Sequence, residues 1–133
     1  MSIAQKVVVF AYSLREDGLY CRPRDSELRD EFGGRMISSS NDGESIISFS
    51  PTDVWEFEDG SRVEIAYSDA TVIAGAALAV VREGDQTIGV WSMGTAPNRF
   101  LRDLVKQAVE NGEATAQDAD GCTVTAVRQD GEQ

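Results

Sequence analysis

Histidine is absent from the 133 residues, and lysine, cysteine and proline are scarce, at two, two and three. Without His the commonest general base is missing. Serine and cysteine triads of the usual kind are excluded, and so is any zinc site that needs an imidazole. Cys21 and Cys122 lie far apart and define neither a disulfide framework nor a metal-ligand spacing. Both are expected to be small buried hydrophobes. Cys21 sits beside Arg22 and near Arg24, which favours a thiolate, but no partner base is visible and no catalytic thiol is assigned. Long apolar runs are missing too. The longest, residues 70–81, falls short of the roughly 20 residues that span a bilayer. The opening Met1 to Lys6 leads into a strand-like pattern and not a signal peptide. These features predict a chain that stays in the cytoplasm or is assembled into a particle, with no membrane partner.

Twenty-three acidic residues stand against twelve basic ones, a formal net charge of −11. Ten of the twelve bases are Arg; the two lysines are Lys6 and Lys106. Direct binding to a nucleic-acid backbone is disfavoured, because it needs a positive surface. The acidity has three readings: solubility in an Arg-rich proteome, hydration in a high-salt cytoplasm, or a basic partner.

The clearest pattern runs from Asp53 to Tyr67. Trp55 and Phe57 alternate with Glu56 and Glu58, and Val63, Ile65 and Tyr67 alternate with Arg62 and Glu64. Period two marks a strand with one face buried. A three-residue loop, Glu58-Asp59-Gly60, puts Trp55 opposite Val63, Phe57 opposite Ser61 and Glu56 opposite Arg62. A two-residue Asp59-Gly60 turn would instead mix core and solvent faces. The longer loop needs a left-handed last residue, and Gly60 supplies it.

In chain order, Lys6 to Leu14 is apolar at nearly every position and predicts a strand covered on both faces. Arg15 to Gly18 is a turn, and residues 19–22 return as a strand stopped by Pro23. Asp25 to Phe32 predicts a short helix capped by Asp25 or Ser26 and ended by Gly33-Gly34. Met36-Ile37 begins a strand, Ser38 to Glu44 is a mobile polar loop, and Ser45 to Ser50 alternates. Residues 70–82 fit either a buried Ala-rich helix or a strand over 76–82. The strand is preferred, paired with Thr87 to Met93 across Glu83 to Gln86. Thr95 to Glu110 predicts an amphipathic helix, with Thr95 as N-cap and a stripe of Phe100, Leu101, Leu104, Val105, Ala108 and Val109. Glu113 to Gly121 reads as an acidic loop, Cys122 to Val127 as a last strand and Arg128 to Gln133 as a polar tail. The expectation is one α+β domain over 1–133, mainly antiparallel. It has seven or eight short strands in a sandwich or partly closed barrel, covered by one amphipathic helix near 96–110.

No phosphate loop, dinucleotide fingerprint, nucleophile elbow or metalloprotease helix is present. Asp118-Ala-Asp-Gly121 places Gly at position four and Gln129 at position twelve, which excludes an EF-hand. Neither a cofactor nor a metal is expected, and the chain is read as a non-enzymatic protein. Interaction residues are expected on the basic side of the last helix (Arg99, Arg102, Lys106), on the outer carboxylates Glu56, Glu58 and Glu64, and in the polar loop at Asp42 and Glu44. A helix basic on one side of an acidic chain makes a dipolar surface. The predicted role is a structural subunit of a larger assembly, such as a viral capsid, neck or tail. It would dock on copies of itself or on neighbouring subunits by complementary charge and sheet edges. The alternative is an acidic inhibitor or immunity protein that blocks a basic nucleic-acid-binding surface. A small enzyme would need a pocket holding Cys21 or perturbed carboxylates.

Overall fold

A computed structural model of the chain describes residues 1–18, 23–40, 52–67, 77–92 and 96–129. Its elements are α1 (Ile3–Ser13), α2 (Asp25–Phe32), β1 (Arg35–Ser40), β2 (Thr52–Glu56), β3 (Arg62–Tyr67), β4 (Ala77–Glu83), β5 (Gln86–Ser92), α3 (Asn98–Asn111), β6 (Glu113–Gln117) and β7 (Thr123–Gln129). The strands form one antiparallel sheet in the order β1-β2-β3-β4-β5-β7-β6. The α+β class and the predominantly antiparallel sheet are as the sequence predicts. The sheet is single and open, however, so a sandwich or barrel does not describe it: β1 and β6 stand at its two ends.

The Asp53 to Tyr67 hairpin has the predicted register. Trp55 faces Val63, and Glu56 faces Arg62. The amide of Phe57 donates to the carbonyl of Ser61 at 2.9 Å, and the amide of Gly60 to the carbonyl of Phe57 at 2.9 Å. Gly60 has φ +87°, the left-handed value the three-residue loop demands. Asp53, Trp55, Phe57, Val63 and Ile65 are all buried on this hairpin's inner face. The β4–β5 hairpin also forms, with Glu83 opposite Gln86 across a two-residue turn. Residues 19–22, 41–51, 68–76, 93–95 and 130–133 lie outside the described set. The expectations for the strand at 19–22, for residues 41–44, for Ser45 to Ser50 and for the end of the tail therefore fall there.

Four expectations change. Lys6 to Leu14 belongs to a helix and not a strand. Ser2 opens α1 with a reciprocal capping box: its Oγ accepts from the amide of Gln5, whose Oε1 accepts from the amide of Ser2. The buried residues Ala4, Val7, Val8, Ala11 and Tyr12 recur at i, i+3, i+4, i+7 and i+8, one stripe of a helix. Valine lowers helix propensity by a few tenths of a kcal/mol per residue. Burying such a side chain stabilises by about 1.5–3 kcal/mol, so packing overrides propensity. The β4–β5 turn also holds the helix start. Glu83 Oε1 accepts from the amide of Ala4 at 3.0 Å, placing a carboxylate on the positive end of the helix dipole.

Second, Glu113 to Gln117 is strand β6 and not an acidic loop; it pairs with β7 from Glu113–Val127 to Gln117–Thr123. Its alternating half-buried Ala114 and Ala116 pack on the core. Third, β1 runs to Ser40 and β7 to Gln129, so Ser38 to Ser40 and Arg128-Gln129 are ladder residues, outside loop and tail. Fourth, the helix caps differ. At α2 neither Asp25 nor Ser26 caps; Glu27 Oε1 accepts from the amide of Arg24 at 2.8 Å. The N-cap position of α3 is Pro97 and not Thr95, and the first amides of the helix are satisfied from far away in sequence. Asn98 N–H donates to the carbonyl of Gly18 at 2.8 Å, and Arg99 N–H to that of Glu16 at 2.9 Å. The turn after α1 thus caps α3, which no local sequence signal could show.

The core lies between the inner face of the sheet and the helices. As predicted, Leu101, Leu104, Val105, Ala108 and Val109 of α3 are buried, with Phe100 partly buried. The helix α3 packs on β6 and β7, α1 packs on β4, β5 and α3, and α2 touches β1. An aromatic row ties the hairpin to the helices. Trp55 stacks on Phe57 with centroids 6.1 Å apart, Phe57 meets the edge of Phe32 at 5.6 Å, and Phe32 meets Phe10 at 5.3 Å.

Candidate interaction surface

The outer face of the hairpin carries a ladder of ion pairs. Glu56 accepts from Arg35 of β1 at 3.1 Å and from Arg62 of β3 at 3.2 Å. Strand alternation alone brings Glu56 and Arg62 opposite each other; β1 pairing adds Arg35, which the sequence did not connect. These two guanidiniums, Arg35 first, hold the Glu56 carboxyl below the ordinary carboxylate range. One step along the sheet, Glu64 accepts from Arg82 Nε at 2.6 Å, as Glu64 and Arg82 are registered partners. Glu58 stands exposed at the turn, close to Gly33. The outer carboxylates Glu56 and Glu64 are thus tied to arginines, and each such exposed pair contributes little to stability.

The basic side of α3 is also largely neutralised within the chain. Arg102 Nη1 donates to both carboxylate oxygens of Glu16 at 2.7 and 2.8 Å, and Arg102 also pairs with Asp103. Hydrogen bonding to Glu16 raises the guanidinium above its ordinary pKa. Arg99 donates to Asp17 at 2.6 Å. Lys106 is exposed. The acids of the turn after α1 therefore meet the bases of α3, at the same place where that turn's carbonyls cap the helix. Asp42 and Glu44 lie outside the described residues.

The features that sequence reasoning missed are apolar. Among the described residues, the exposed large hydrophobics are Met1, Met36 (41 % exposed) and Ile37 (37 %). Two of these three stand on β1, a sheet edge. A bulge falls at Ile37: Met36 is registered to Trp55 and Ser38 to Val54, leaving Ile37 as the extra residue. Inside the edge, Ser39 Oγ donates to the buried carboxylate of Asp53 at 2.7 Å, anchoring β1 to β2. The signal was present as an apolar pair followed by three serines, a strand with no alternating inner face. A second, mainly apolar feature is an open groove of about 350 Å³ between α1 and α2, lined by Met1, Val9, Phe10 and Phe32 together with Lys6, Ser13 and Glu31. Reading Lys6 to Leu14 as a strand concealed it.

No group of three potential metal-ligating side chains occurs among the described residues. Asp118 is buried and closes a turn: its Oδ1 accepts from the amides of Asp120 and Cys122, both at 2.9 Å. That is Asx-turn chemistry for Oδ1; Oδ2 is buried without a hydrogen-bond partner. Cys122 is a half-buried free thiol. No helix among the described residues is long and apolar enough to cross a membrane. Comparison of the chain with protein-family models, curated proteins and solved structures finds no match.

Proposed function

We propose that the chain is a non-enzymatic interaction subunit that docks into a larger assembly through the β1 edge of its sheet. The observation that carries this reading is the placement of Met36 and Ile37. Among the described side chains of the sheet, the exposed large apolar ones lie on the terminal strand β1. There the backbone donors and acceptors of one side face outward, ready to accept a partner strand. Ion pairing within the chain supports the same reading by subtraction. Arg99, Arg102, Glu56 and Glu64 all have intramolecular partners, so complementary charge is a weaker docking force than the edge.

No observation favours the inhibitor reading, which expects acids gathered on one face. Among the described residues the exposed acids are spread over Asp17, α2, the Glu58-Asp59 turn, Asp85, α3, β6 and Asp120. Tagged chain at native abundance, analysed by size exclusion of host extract, tests the proposal. The wild type is expected in a complex heavier than the monomer, and Ile37→Lys is expected to shift it toward the monomer, while Lys106→Glu leaves it in place. A monomeric wild type, or a complex indifferent to Ile37→Lys, would overturn the proposal.

A further inference from the structure

We infer that Asn111 is a site of spontaneous deamidation, held in check by the junction between α3 and β6 until the helix end opens. Asn41 precedes Asp42 and Asn98 precedes Arg99; Asn111 alone is followed by glycine. Asparagine amides are among the thermolabile groups of proteins. The reaction is an attack by the backbone nitrogen of Gly112 on Asn111 Cγ. A bond forms between that nitrogen and Cγ, and the Cγ–Nδ2 bond breaks. The proton of the attacking nitrogen leaves with Nδ2 as ammonia. Water then opens the cyclic imide at either carbonyl, leaving aspartate or isoaspartate at position 111. Glycine favours the attack because it has no Cβ to crowd the nitrogen.

The fold supplies both the reactant and the restraint. Asn111 is the last residue of α3 and is exposed, so water reaches its amide. Gly112 alone joins α3 to β6, which begins at Glu113. The amide of Gly112 donates to the carbonyl of Ala108 at 2.7 Å, and its carbonyl accepts from the amide of Arg128 at 2.8 Å. The guanidinium of Arg128 also donates to the carbonyl of Val109. Strand β7 thus clamps the end of α3 through Arg128. To react, the Gly112 nitrogen must lose its proton and turn toward Asn111 Cγ. Both steps require the bond to Ala108 to break, so the rate follows the fraction of molecules open at this junction.

The product works against the fold. It adds a negative charge between Glu110 and Glu113, at the negative end of the helix dipole. Isoaspartate also lengthens the main chain by one carbon where α3 passes directly into β6. That displaces Glu113 from Val127, its registered partner. A modified chain therefore holds this junction less firmly than the original.

Incubation of the purified full chain at mildly alkaline pH, folded and in guanidinium chloride, tests this by peptide mapping with mass spectrometry. The expected product carries an acid in place of the amide at position 111, as a mixture of aspartate and isoaspartate. It is expected to form about tenfold or more slowly in the folded chain, because closed molecules do not react. Asn111→Gln is expected to stop the reaction in both states, since a glutamine amide would have to close a larger ring. Arg128→Ala is expected to raise the folded rate several-fold and to leave the unfolded rate unchanged. Amide exchange of Gly112 in the wild type, followed across temperature, is expected to rise in step with the folded rate; this arm holds even if Arg128→Ala does not fold. An unfolded chain that keeps its amide at position 111 while Asn41 or Asn98 reacts would overturn the inference. So would equal rates in the folded and unfolded chain, a folded Arg128→Ala chain that reacts no faster, or a folded rate that does not follow Gly112 exchange.

Discussion

Gly34 sets how closely β1 approaches the core, and replacing it by alanine tests that packing. A Cβ built there lies 2.3 Å from Phe57 Cδ1, 2.5 Å from Phe57 Cε1 and 3.2 Å from the carbonyl oxygen of Glu56. Carbon atoms in contact prefer about 3.5–4.0 Å, so more than an ångström must open. The ring cannot yield freely. Phe57 is 4 % exposed and is held by the Trp55 stack on one side and the Phe32 edge on another. Two effects oppose each other. Gly34 is not among the positive-φ glycines, so alanine is allowed by the backbone and stabilises by about 0.4–1 kcal/mol through the unfolded chain. Overpacking costs about 1–3 kcal/mol or more, and a contact this short belongs at the upper end. The net expectation is a loss of about 1–2 kcal/mol, seen as a lower urea midpoint and a Tm decrease of about 3–10 °C. Phe57→Leu should relieve the clash. In the double-mutant cycle the two changes are expected to couple favourably by about 1 kcal/mol. If Gly34→Ala were as stable as the wild type, or if Phe57→Leu showed no coupling to it, the close packing of β1 on Phe57 would be refuted. The proposed docking edge would then lack its rigid support.

Two further tests follow from the same structure. Asn98 is buried, and its Nδ2 donates to the carbonyl of Arg15 at 3.0 Å; Asn98→Ala is expected to destabilise by about 1–3 kcal/mol and to raise amide exchange at the start of α3 and in the turn after α1. Glu56 has a depressed carboxyl pKa, so its pairing contributes stability above the ordinary value of 4.5 and loses it as pH falls through the lower folded value. The gap in urea midpoint between the wild type and Glu56→Gln should therefore be present at pH 7 and close on acidification, and it should shrink at high salt.

Local chemistry made several elements legible. The Glu58-Asp59-Gly60 loop and strict alternation on either side determine the hairpin register, because a one-residue slip would turn Trp55 and Val63 to water. The apolar stripe from Leu101 to Val109 and the glycine at 112 identify α3. The segment from Ala4 to Tyr12 was not legible as a helix by composition, since a run of Val and aromatics fits a buried strand as well; its 3.6-residue stripe and the Ser2-Gln5 box were the available clues. Strand β6 escaped because Glu-Ala-Thr-Ala-Gln is weak in β propensity and becomes a strand by lying beside β7 and under α3. The proposed interaction surface was legible only as a list of charges.

The sequence by itself determined the α+β character, the central hairpin and its Glu56–Arg62 pair, and the absence of imidazole chemistry. These depend on residue identity and on neighbours a few positions away. Tertiary structure decided the rest. It brought Glu83 to the start of α1, the turn after α1 to the start of α3, and Glu16 and Asp17 to Arg102 and Arg99. It thereby paired Glu56, Glu64, Arg99 and Arg102 within the chain, and it left the Met36-Ile37 pair on a terminal strand of the sheet. Contacts between residues some eighty positions apart carry no signature in local pattern, because they exist only once the chain has closed on itself.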